Sequence, residues 1–284
     1  MRRFVLLGAV FLSGCARNPV TDAKVDPELA TLIPADTVLM AGVRKESLEK
    51  TPLYQEYLAK ISFQPLDDFA KQTGVDPRKD LSDLLFVSNG KHGVLLGRGK
   101  FASGQSRRGV AYKGFQLIGD EQTAVVFFNA STAAAGETSA LKSLIDQRSN
   151  STGPPPALAA LMKEIPPESQ IWAAYLGSPV YLAFGGNVNK ALGSLVSGIL
   201  YFDLRAGLNG IASGLCLNEQ GAQDVEGALK LLIGMGRLNA PSNQPDMLRV
   251  YDGIRVTREV RRVRISIGEP PDLVKKFADL WMKQ

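Results

Sequence analysis

The residue types that most often perform acid–base or thiol chemistry are scarce in this chain of 284 residues. His92 is the only histidine, and it follows Asn89-Gly90, a dipeptide typical of hairpin turns, so we expect it on the surface of a hairpin. A single histidine also excludes a zinc site built from several imidazoles. Cys216 lies between two leucines in an apolar segment, where we expect a buried and unreactive thiol.

Two serine motifs resemble part of a catalytic site. Ser47-Leu48-Glu49-Lys50 and Ser139-Ala140-Leu141-Lys142 both fit the Ser-x-x-Lys pattern. The companion Ser-x-Asn and Lys-Thr-Gly elements do not accompany them, so we interpret both motifs as solvent-facing helix segments.

A glycine motif and two acidic pairs complete the search for chemistry. Gly97-Arg98-Gly99-Lys100-Phe101-Ala102 begins like a dinucleotide fingerprint, but a loop-like segment at 103–109 follows where a helix is needed. Asp67-Asp68, and Asp80 with Asp83, lie near expected helix starts, where carboxylates commonly cap exposed N–H groups. We predict no catalytic residue, no metal site and no cofactor.

Five arginines surround a short strand connection near the end of the chain. They are Arg255, Arg258, Arg261, Arg262 and Arg264. One interpretation is a solvated sheet edge whose charges discourage pairing with another strand. The other is contact with anionic headgroups or with an acidic partner protein.

The segment 184–200 is rich in glycine and small apolar residues. We expect a core helix packed closely on a sheet. The alternative is that the small side chains leave a cleft for an acyl chain or another apolar ligand.

The N-terminus carries the most specific signal. Met1-Arg2-Arg3 is a basic start, Phe4 to Leu12 is an apolar stretch too short to cross a bilayer, and Leu12-Ser13-Gly14-Cys15 follows. These residues resemble the signal peptide and lipobox of bacterial lipoproteins, with Leu12 at the aliphatic position and Ser13 and Gly14 at the small ones. The alternative is a first core element with an ordinary thiol at Cys15.

The lipoprotein resemblance implies cleavage after Gly14 and attachment of lipid to the Cys15 thiol, which would anchor the protein to a membrane. The signal peptide is then 1–14, and the polar, irregular segment 15–30 is a lipidated tether. Ala16 stands where an inner-membrane retention signal would place Asp, which favours the outer membrane facing the periplasm. After cleavage, 31 basic and 28 acidic residues remain, a balance that argues against nucleic acid as a partner.

The body of the chain divides at Arg148–Pro156, a Pro-rich linker. We predict a first α+β domain at 31–147 and a second at 157–284, because each is long enough to bury a core. Two pairs of motifs lie 132 residues apart: Ile33-Pro34-Ala35-Asp36-Thr37 with Ile165-Pro166-Pro167-Glu168-Ser169, and Gly136-Glu137 with Gly268-Glu269. We interpret them as a duplication with a divergent middle; chance similarity of short motifs is the alternative.

Local patterns predict the elements of these halves. Strands are expected at 37–43, 84–88, 92–97, 110–118, 169–176, 200–206 and 211–217. A helical stripe begins at Val225, and a final amphipathic helix begins at Pro271. Strands in hairpins with helices at their ends indicate α+β: two related halves, each a mostly antiparallel sheet with helices packed on it.

The composition, 45% hydrophobic and 21% charged, is that of a globular protein and excludes disordered and multi-span membrane classes. The Ile33–Thr37 segment and Thr73-Gly74-Val75-Asp76-Pro77 loosely resemble uncharacterised secreted bacterial proteins. We predict a lipid-anchored extracytoplasmic protein, a non-enzymatic binding or envelope-maintenance module with the membrane and an envelope protein as partners. The alternatives are an envelope hydrolase with an unrecognised serine or carboxylate site, and a carrier of an apolar ligand.

Overall fold

The computed structural model describes residues 25–60, 64–101, 109–178, 190–241 and 244–281. The signal peptide 1–14, the lipobox residues Leu12, Ser13 and Gly14, the lipidation residue Cys15 and most of the predicted tether lie outside these residues. The glycine-rich beginning of the segment 184–200 lies outside them as well.

The described chain is built around one antiparallel sheet of twelve strands. The strands are β1 (Leu39–Arg44), β2 (Leu81–Ser88), β3 (Gly93–Gly99), β4 (Val110–Tyr112), β5 (Phe115–Gly119), β6 (Thr123–Asn129), β7 (Thr132–Glu137), β8 (Ile171–Leu176), β9 (Leu195–Asp203), β10 (Leu208–Cys216), β11 (Ile254–Glu259) and β12 (Arg262–Glu269). Their order across the sheet is β11-β12-β10-β9-β8-β1-β2-β3-β7-β6-β5-β4. The predicted α+β class is confirmed.

Helices lie on both faces and at the ends of this sheet. They are α1 (Pro27–Ala30), α2 (Lys45–Leu48), α3 (Pro52–Glu56), α4 (Gln64–Thr73), α5 (Pro77–Asp80), α6 (Thr138–Gln147), α7 (Pro156–Met162), α8 (Glu219–Leu238), α9 (Pro245–Gly253) and α10 (Pro271–Trp281). Local signals start several of them: the Thr51 hydroxyl accepts from the Tyr54 N–H at 3.3 Å before α3. Asp76 caps α5 in the same way, accepting from the Arg78 N–H at 3.1 Å.

The two halves repeat the same strand order. The first half runs β1-β2-β3-β7-β6 and the second runs β8-β9-β10-β12-β11, and β1 and β8 begin 132 residues apart, at Leu39 and Ile171. The hairpin β4–β5 extends the first half, whereas α8 and α9 occupy that part of the second. This arrangement supports the duplication with a divergent middle.

The halves meet through β1 and β8, which pair antiparallel in the centre of the sheet. Neither half therefore has a separate sheet. The Pro-rich segment between them begins with a 3₁₀ turn at Arg148–Asn150, and the Ser151 hydroxyl then donates to the carbonyl oxygen of Ile33 at 2.8 Å. The domain boundaries at 31–147 and 157–284 stay predictions.

Two predicted elements are wrong. The expected strand at 110–118 is a hairpin, because Lys113 and Gly114 both adopt positive φ, 45° and 86°, and reverse the chain there. The end of the segment 184–200 was expected to be helical, but Leu195–Asp203 is strand β9. Its β-branched and aromatic residues, including Ile199 and Tyr201, suit a pleated sheet.

The main core lies on one face of the sheet, which we call the front face. A row of directly opposed residues crosses that face: Leu117, Val126, Ala134, Leu96, Leu85, Gly42 and Trp172. Except for Gly42, these residues belong to the main cluster of buried side chains, together with Leu141 of α6 and Leu158 of α7. On the opposite, back face, α8 covers a smaller core around Cys216, Val225 and Val263.

Candidate functional site

The five arginines grouped in the sequence do not form one cluster. Arg255, Arg262 and Arg264 point to the front face of β11 and β12, whereas Arg258 points to the back face. Successive side chains of a strand point to opposite faces, so residues 255 and 258 of one strand must separate. The three-residue spacing between Arg255 and Arg258 is the sequence signal that their side chains point to opposite faces of the strand.

The two arginines outside the front-face group have partners of their own. Arg258 forms ion pairs with two carboxylates of α8, Glu226 at 2.9 Å and Glu219 at 3.3 Å. These contacts raise the pKa of Arg258. The hydrogen bond from Lys230, together with the one from Arg258, lowers the pKa of the Glu226 carboxyl. Arg261 lies in the β11–β12 turn and donates to the carbonyl oxygen of Leu217 at 3.1 Å.

Arg255 lines a polar groove on the front face, and Arg262 and Arg264 line a smaller cavity beside it. Beyond buried Trp172, the front-face row continues through half-buried Tyr201, Ile211 and Ser266 to Arg255, which is exposed. The groove has a volume of about 460 Å³. The residues lining it include Pro166, Glu168, Ser169, Tyr201, Asp203, Asn209, Ile211, Arg255 and Ser266.

The groove is open because no helix among the described residues covers this part of the front face. In the first half, α6 follows β7, and its Leu141 and Leu144 are buried in the main core. The equivalent helix, α10, follows β12 but lies against α3, where the Tyr57 hydroxyl donates to Asp279 at 2.9 Å. Lys275 of α10 also pairs with Glu56 at 3.2 Å.

Charges in and beside the groove are partly compensated. Asp203 accepts from Arg205 at 2.6 Å, and this hydrogen bond lowers the pKa of the Asp203 carboxyl. Arg262 pairs with Glu164 at 3.1 Å. Within the described part of the chain, Arg255 and Arg264 form no ion pair.

A second opening lies on the back face, between α8 and the sheet. This apolar cavity has a volume of about 370 Å³. Its lining includes Leu39, Ala173, Tyr175, Leu192, Leu195, Leu200, Ala212, Gly214, Val225, Leu229, Val263 and Ile265. Gly214 leaves space in this lining for the Leu195 side chain, since an added Cβ would lie 2.5 Å from it. None of the described residues that line the cavity is charged.

A third cavity, of about 160 Å³, brings together residues that the sequence analysis considered separately. His92 is exposed, as expected for a hairpin residue, and its Nδ1 lies 2.9 Å from Glu137 Oε2. Ser139, in the first turn of α6, lines the same cavity and is exposed. No sequence pattern connects Ser139 to His92, because the two residues are 47 positions apart and approach each other only when β3 pairs with β7 and packs against α6.

The cysteine and the acidic residues considered as possible catalytic or metal-binding groups have structural roles. Cys216 is a buried free thiol whose pKa is raised by burial, as expected for an inert core residue. Asp67 pairs with Arg78 at 2.5 Å, and Asp80 accepts from the Asp76 N–H at 2.7 Å. Among the described residues, no group of three or more His, Cys, Asp or Glu side chains is placed to hold a metal ion.

One buried carboxylate escaped the sequence analysis. Glu269, at the end of β12, is only 5% exposed, and its Oε1 has no hydrogen-bond partner within the described residues. Burial raises the pKa of its carboxyl, and Arg249 partly opposes that shift. The Gly268-Glu269 repeat singled out this position, but an isolated sequence motif does not indicate burial.

Comparison with protein-family models finds no match for this chain, and comparison with curated proteins finds none either. Among solved structures, crystal form III of TP0453 aligns with a TM-score of 0.54 at 12% identity, covering 92% of this chain and 100% of that one. The two share a fold. Crystal form I of TP0453 aligns with a TM-score of 0.47 at 13% identity, covering 91% of this chain and 99% of that one.

Within the described residues, no helix is long and apolar enough to cross a membrane.

Proposed function

We propose that this chain is a lipid-anchored extracytoplasmic binding protein that holds an apolar ligand, such as an acyl chain, between α8 and the sheet. The observation that supports an apolar ligand is the apolar cavity, whose volume of about 370 Å³ falls within the range of small-molecule sites. Aliphatic side chains dominate its lining, and an acyl chain transferred there from water gains about 0.8 kcal/mol for each buried methylene. The binding role is non-enzymatic.

The anchor rests on the lipobox Leu12-Ser13-Gly14-Cys15. One acyl chain binds a membrane weakly, but two or three together hold a protein firmly. We place the body at the outer membrane, facing the periplasm, with an envelope protein as its partner. Mass spectrometry of protein from its host should show a chain that begins at Cys15 and carries added acyl mass. Retention of Met1, or a free Cys15 thiol, would refute the anchor.

The ligand is tested separately from the anchor. A fluorescent fatty-acid probe should bind the purified protein, and Ala212→Leu, which fills the apolar cavity, should weaken that binding at least tenfold. Ala160→Leu makes the same change on the exposed side of α7 and should leave binding unchanged. Equal probe affinity in both variants would contradict the cavity as the site.

A second candidate function is hydrolysis, favoured by the contact between His92 and Glu137 beside Ser139. A carboxylate on Nδ1 orients a histidine as a general base, and the first turn of a helix offers backbone N–H groups to an oxyanion. In this mechanism Ser139 is the nucleophile and His92 Nε2 takes its proton.

A fluorophosphonate probe tests the hydrolase hypothesis directly. Wild-type protein should be labelled at Ser139, and His92→Ala should abolish labelling. Ser143→Ala, which changes another exposed serine of the same cavity, is the matched control and should keep it. Absence of labelling in folded wild-type protein would exclude this function and leave the binding proposal intact.

A further inference from the structure

The strongest unassigned feature is a set of four donor side chains on the front face of β11 and β12. Ser266 lies directly opposite Arg255, and Thr257 lies directly opposite Arg264. Opposed side chains in an antiparallel pair have Cβ atoms about 5 Å apart, and diagonal neighbours such as Arg255 and Arg264 are about 7–8 Å apart. Two guanidinium groups and two hydroxyls thus surround one small area, which we call the donor square.

The charge of the donor square is available to a ligand. Arg262, nearby on the same face, is paired with Glu164, and Arg258 is paired on the opposite face. Among the described residues, Arg255 and Arg264 have no carboxylate within ion-pair distance. Glu259 lies directly opposite Arg262 and is a diagonal neighbour of Arg264 on the side away from Arg255. Thr257, Glu259, Arg262 and Arg264 line a cavity of about 120 Å³ that adjoins the groove at Tyr201.

Arginine forks bind phosphate with paired N–H donors, and hydroxyl groups add further donors. A tetrahedral oxyanion therefore fits the donor square better than a single carboxylate, which has two oxygens and leaves donors unused. The arginines are exposed, so a phosphate reaches them without entering the core.

The remainder of the polar groove indicates what the phosphate is attached to. Ser169, at its other side, is 1% exposed, and its hydroxyl has no partner within the described residues. Asn209 and the Tyr201 ring lie between Ser169 and the arginines. Glu168 and Asp203 also line the groove, and both carboxylates pair with Arg205. Together these groups offer hydrogen bonds to the hydroxyl groups of a ligand and disfavour a second anionic group or an alkyl chain.

We infer that Arg255, Thr257, Arg264 and Ser266 bind the phosphate group of a phosphorylated polyol, whose hydroxyl-bearing part extends along the groove toward Ser169. The groove volume of about 460 Å³ accommodates a ligand of this class. Such a phosphate occurs both on free small molecules and on lipid headgroups. This site lies on the face opposite the apolar cavity and does not depend on it.

Calorimetric titration of the purified protein with glycerol phosphate, inorganic phosphate and glycerol tests the inference. Glycerol phosphate should bind more tightly than inorganic phosphate, and glycerol should not bind. The double substitution Arg255→Gln and Arg264→Gln should weaken glycerol phosphate at least tenfold, as expected when charged hydrogen bonds are lost. Arg261→Gln, in the adjoining turn, should leave the affinity unchanged.

Ser169→Ala tests the polyol part of the site. It should weaken binding of glycerol phosphate but not of inorganic phosphate. Thermal unfolding of each variant establishes that it is folded. Loss of binding by an Arg255 and Arg264 variant that unfolds like wild type supports the site, and loss caused equally by Arg261→Gln overturns it.

Vesicles containing phosphatidylglycerol distinguish the source of the phosphate. Binding of both the vesicles and free glycerol phosphate supports the site if that binding depends on Arg255 and Arg264. Binding of the vesicles alone, with the same dependence, also supports the site and assigns the phosphate to a lipid headgroup. Binding of inorganic phosphate that is insensitive to both arginines identifies an adventitious ion only and overturns the inference. Absence of binding in every titration also overturns it.

Discussion

Gly42 and Trp172 oppose each other where the two halves of the sheet meet. The indole of Trp172 is 1% exposed, and a Cβ on Gly42 would lie 2.4 Å from its Cε2 atom. The absence of a side chain on β1 thus creates the space that the largest buried side chain of β8 occupies. A single methyl group is enough to disturb this contact because protein cores are densely packed.

We predict that Gly42→Ala lowers the free energy of unfolding by about 1–3 kcal/mol, the usual cost of overpacking a core. Denaturant unfolding followed by tryptophan fluorescence measures the change. Gly234→Ala, in α8, is the control. Apart from neighbouring residues of the helix itself, no atom of the described residues lies within 4 Å of the added Cβ, and helix propensity should stabilise that variant by up to about 1 kcal/mol. An unchanged midpoint for Gly42→Ala would contradict the packing described at this joint.

Glu269 is a second residue whose environment has a measurable consequence. Its Oε1 lies against the end of α9, where a Cβ on Gly253 would approach it to 2.0 Å. A negative charge at a helix C-terminus is unfavourable, which adds to the cost of burying the ionised carboxylate. The folded state therefore favours the protonated form.

Because the folded pKa of Glu269 is raised above its ordinary 4.5, the folded state holds this proton when the unfolded chain has lost it. Stability should be fully present below that ordinary pKa and should fall as the pH rises through the raised, folded value. We predict that Glu269→Gln removes this fall and is more stable than wild type at neutral pH. Urea unfolding across the acid-to-neutral range measures it, with Glu121→Gln at an exposed turn as control. A wild-type pH slope in Glu269→Gln would contradict this account.

At the scale of elements, α6 and α10 show how equivalent helices reach different positions. Both follow the last strand of their half, and both begin within two residues of it. Only α6 places an apolar stripe in the main core, while α10 is held against α3 through Tyr57. Burial and the hydrogen bond to Asp279 raise the pKa of Tyr57 to about 12.

We predict that Tyr57→Phe lowers stability by about 0.5–1.5 kcal/mol, the net value of one hydrogen bond, and loosens α10 selectively. Amide hydrogen exchange should become faster in α10 and stay unchanged in α6. Tyr112→Phe is the converse control, since its hydroxyl donates to Asp146 of α6 at 3.1 Å. Equal exchange in α10 of wild type and Tyr57→Phe would show that other contacts hold the helix.

Elements with local signals were predictable from the sequence, and those set by distant contacts were not. Thr51, Asp76 and the Asn89-Gly90 turn each act within a few residues, so caps and the β2–β3 hairpin appear where expected. The repeat spacing of 132 residues correctly matched β1 with β8. Nothing local indicates that these two strands pair with each other.

For the candidate sites, the sequence indicated some of the residues but not their arrangement. The arginines and the small residues of β9 were identified in the sequence, but the face of the sheet to which each side chain points depends on strand register. The polar groove exists because α10 lies elsewhere, and the apolar cavity exists because α8 crosses the back face. Both positions are set by tertiary packing, which an amphipathic stripe alone does not specify.

At the scale of the whole molecule, the continuous sheet makes each half depend on the other. The β1–β8 pair joins them, and Trp172 of the second half completes the front-face core of the first. An isolated half would expose an unpaired strand edge beside apolar side chains, a combination that promotes association between chains.

We predict that a fragment of residues 25–155 self-associates, whereas the same fragment mixed with residues 156–284 forms a stoichiometric complex. Size-exclusion chromatography with light scattering measures both states. Substituting Ala173 of β8 by Pro in the second fragment should weaken the complex, because proline disrupts a central strand. A monomeric first fragment with native-like stability would show that β1 does not need β8.

The β1–β8 pair also imposes a delay on the growing polypeptide. Ribosomes add roughly 5–20 residues per second, so the partner of β1 is synthesised roughly 7–26 seconds after it. During that interval the leading half waits with one hydrogen-bonding edge open to any neighbouring nascent chain. Quality-control factors that shelter such an edge would act on this protein before its final strands exist.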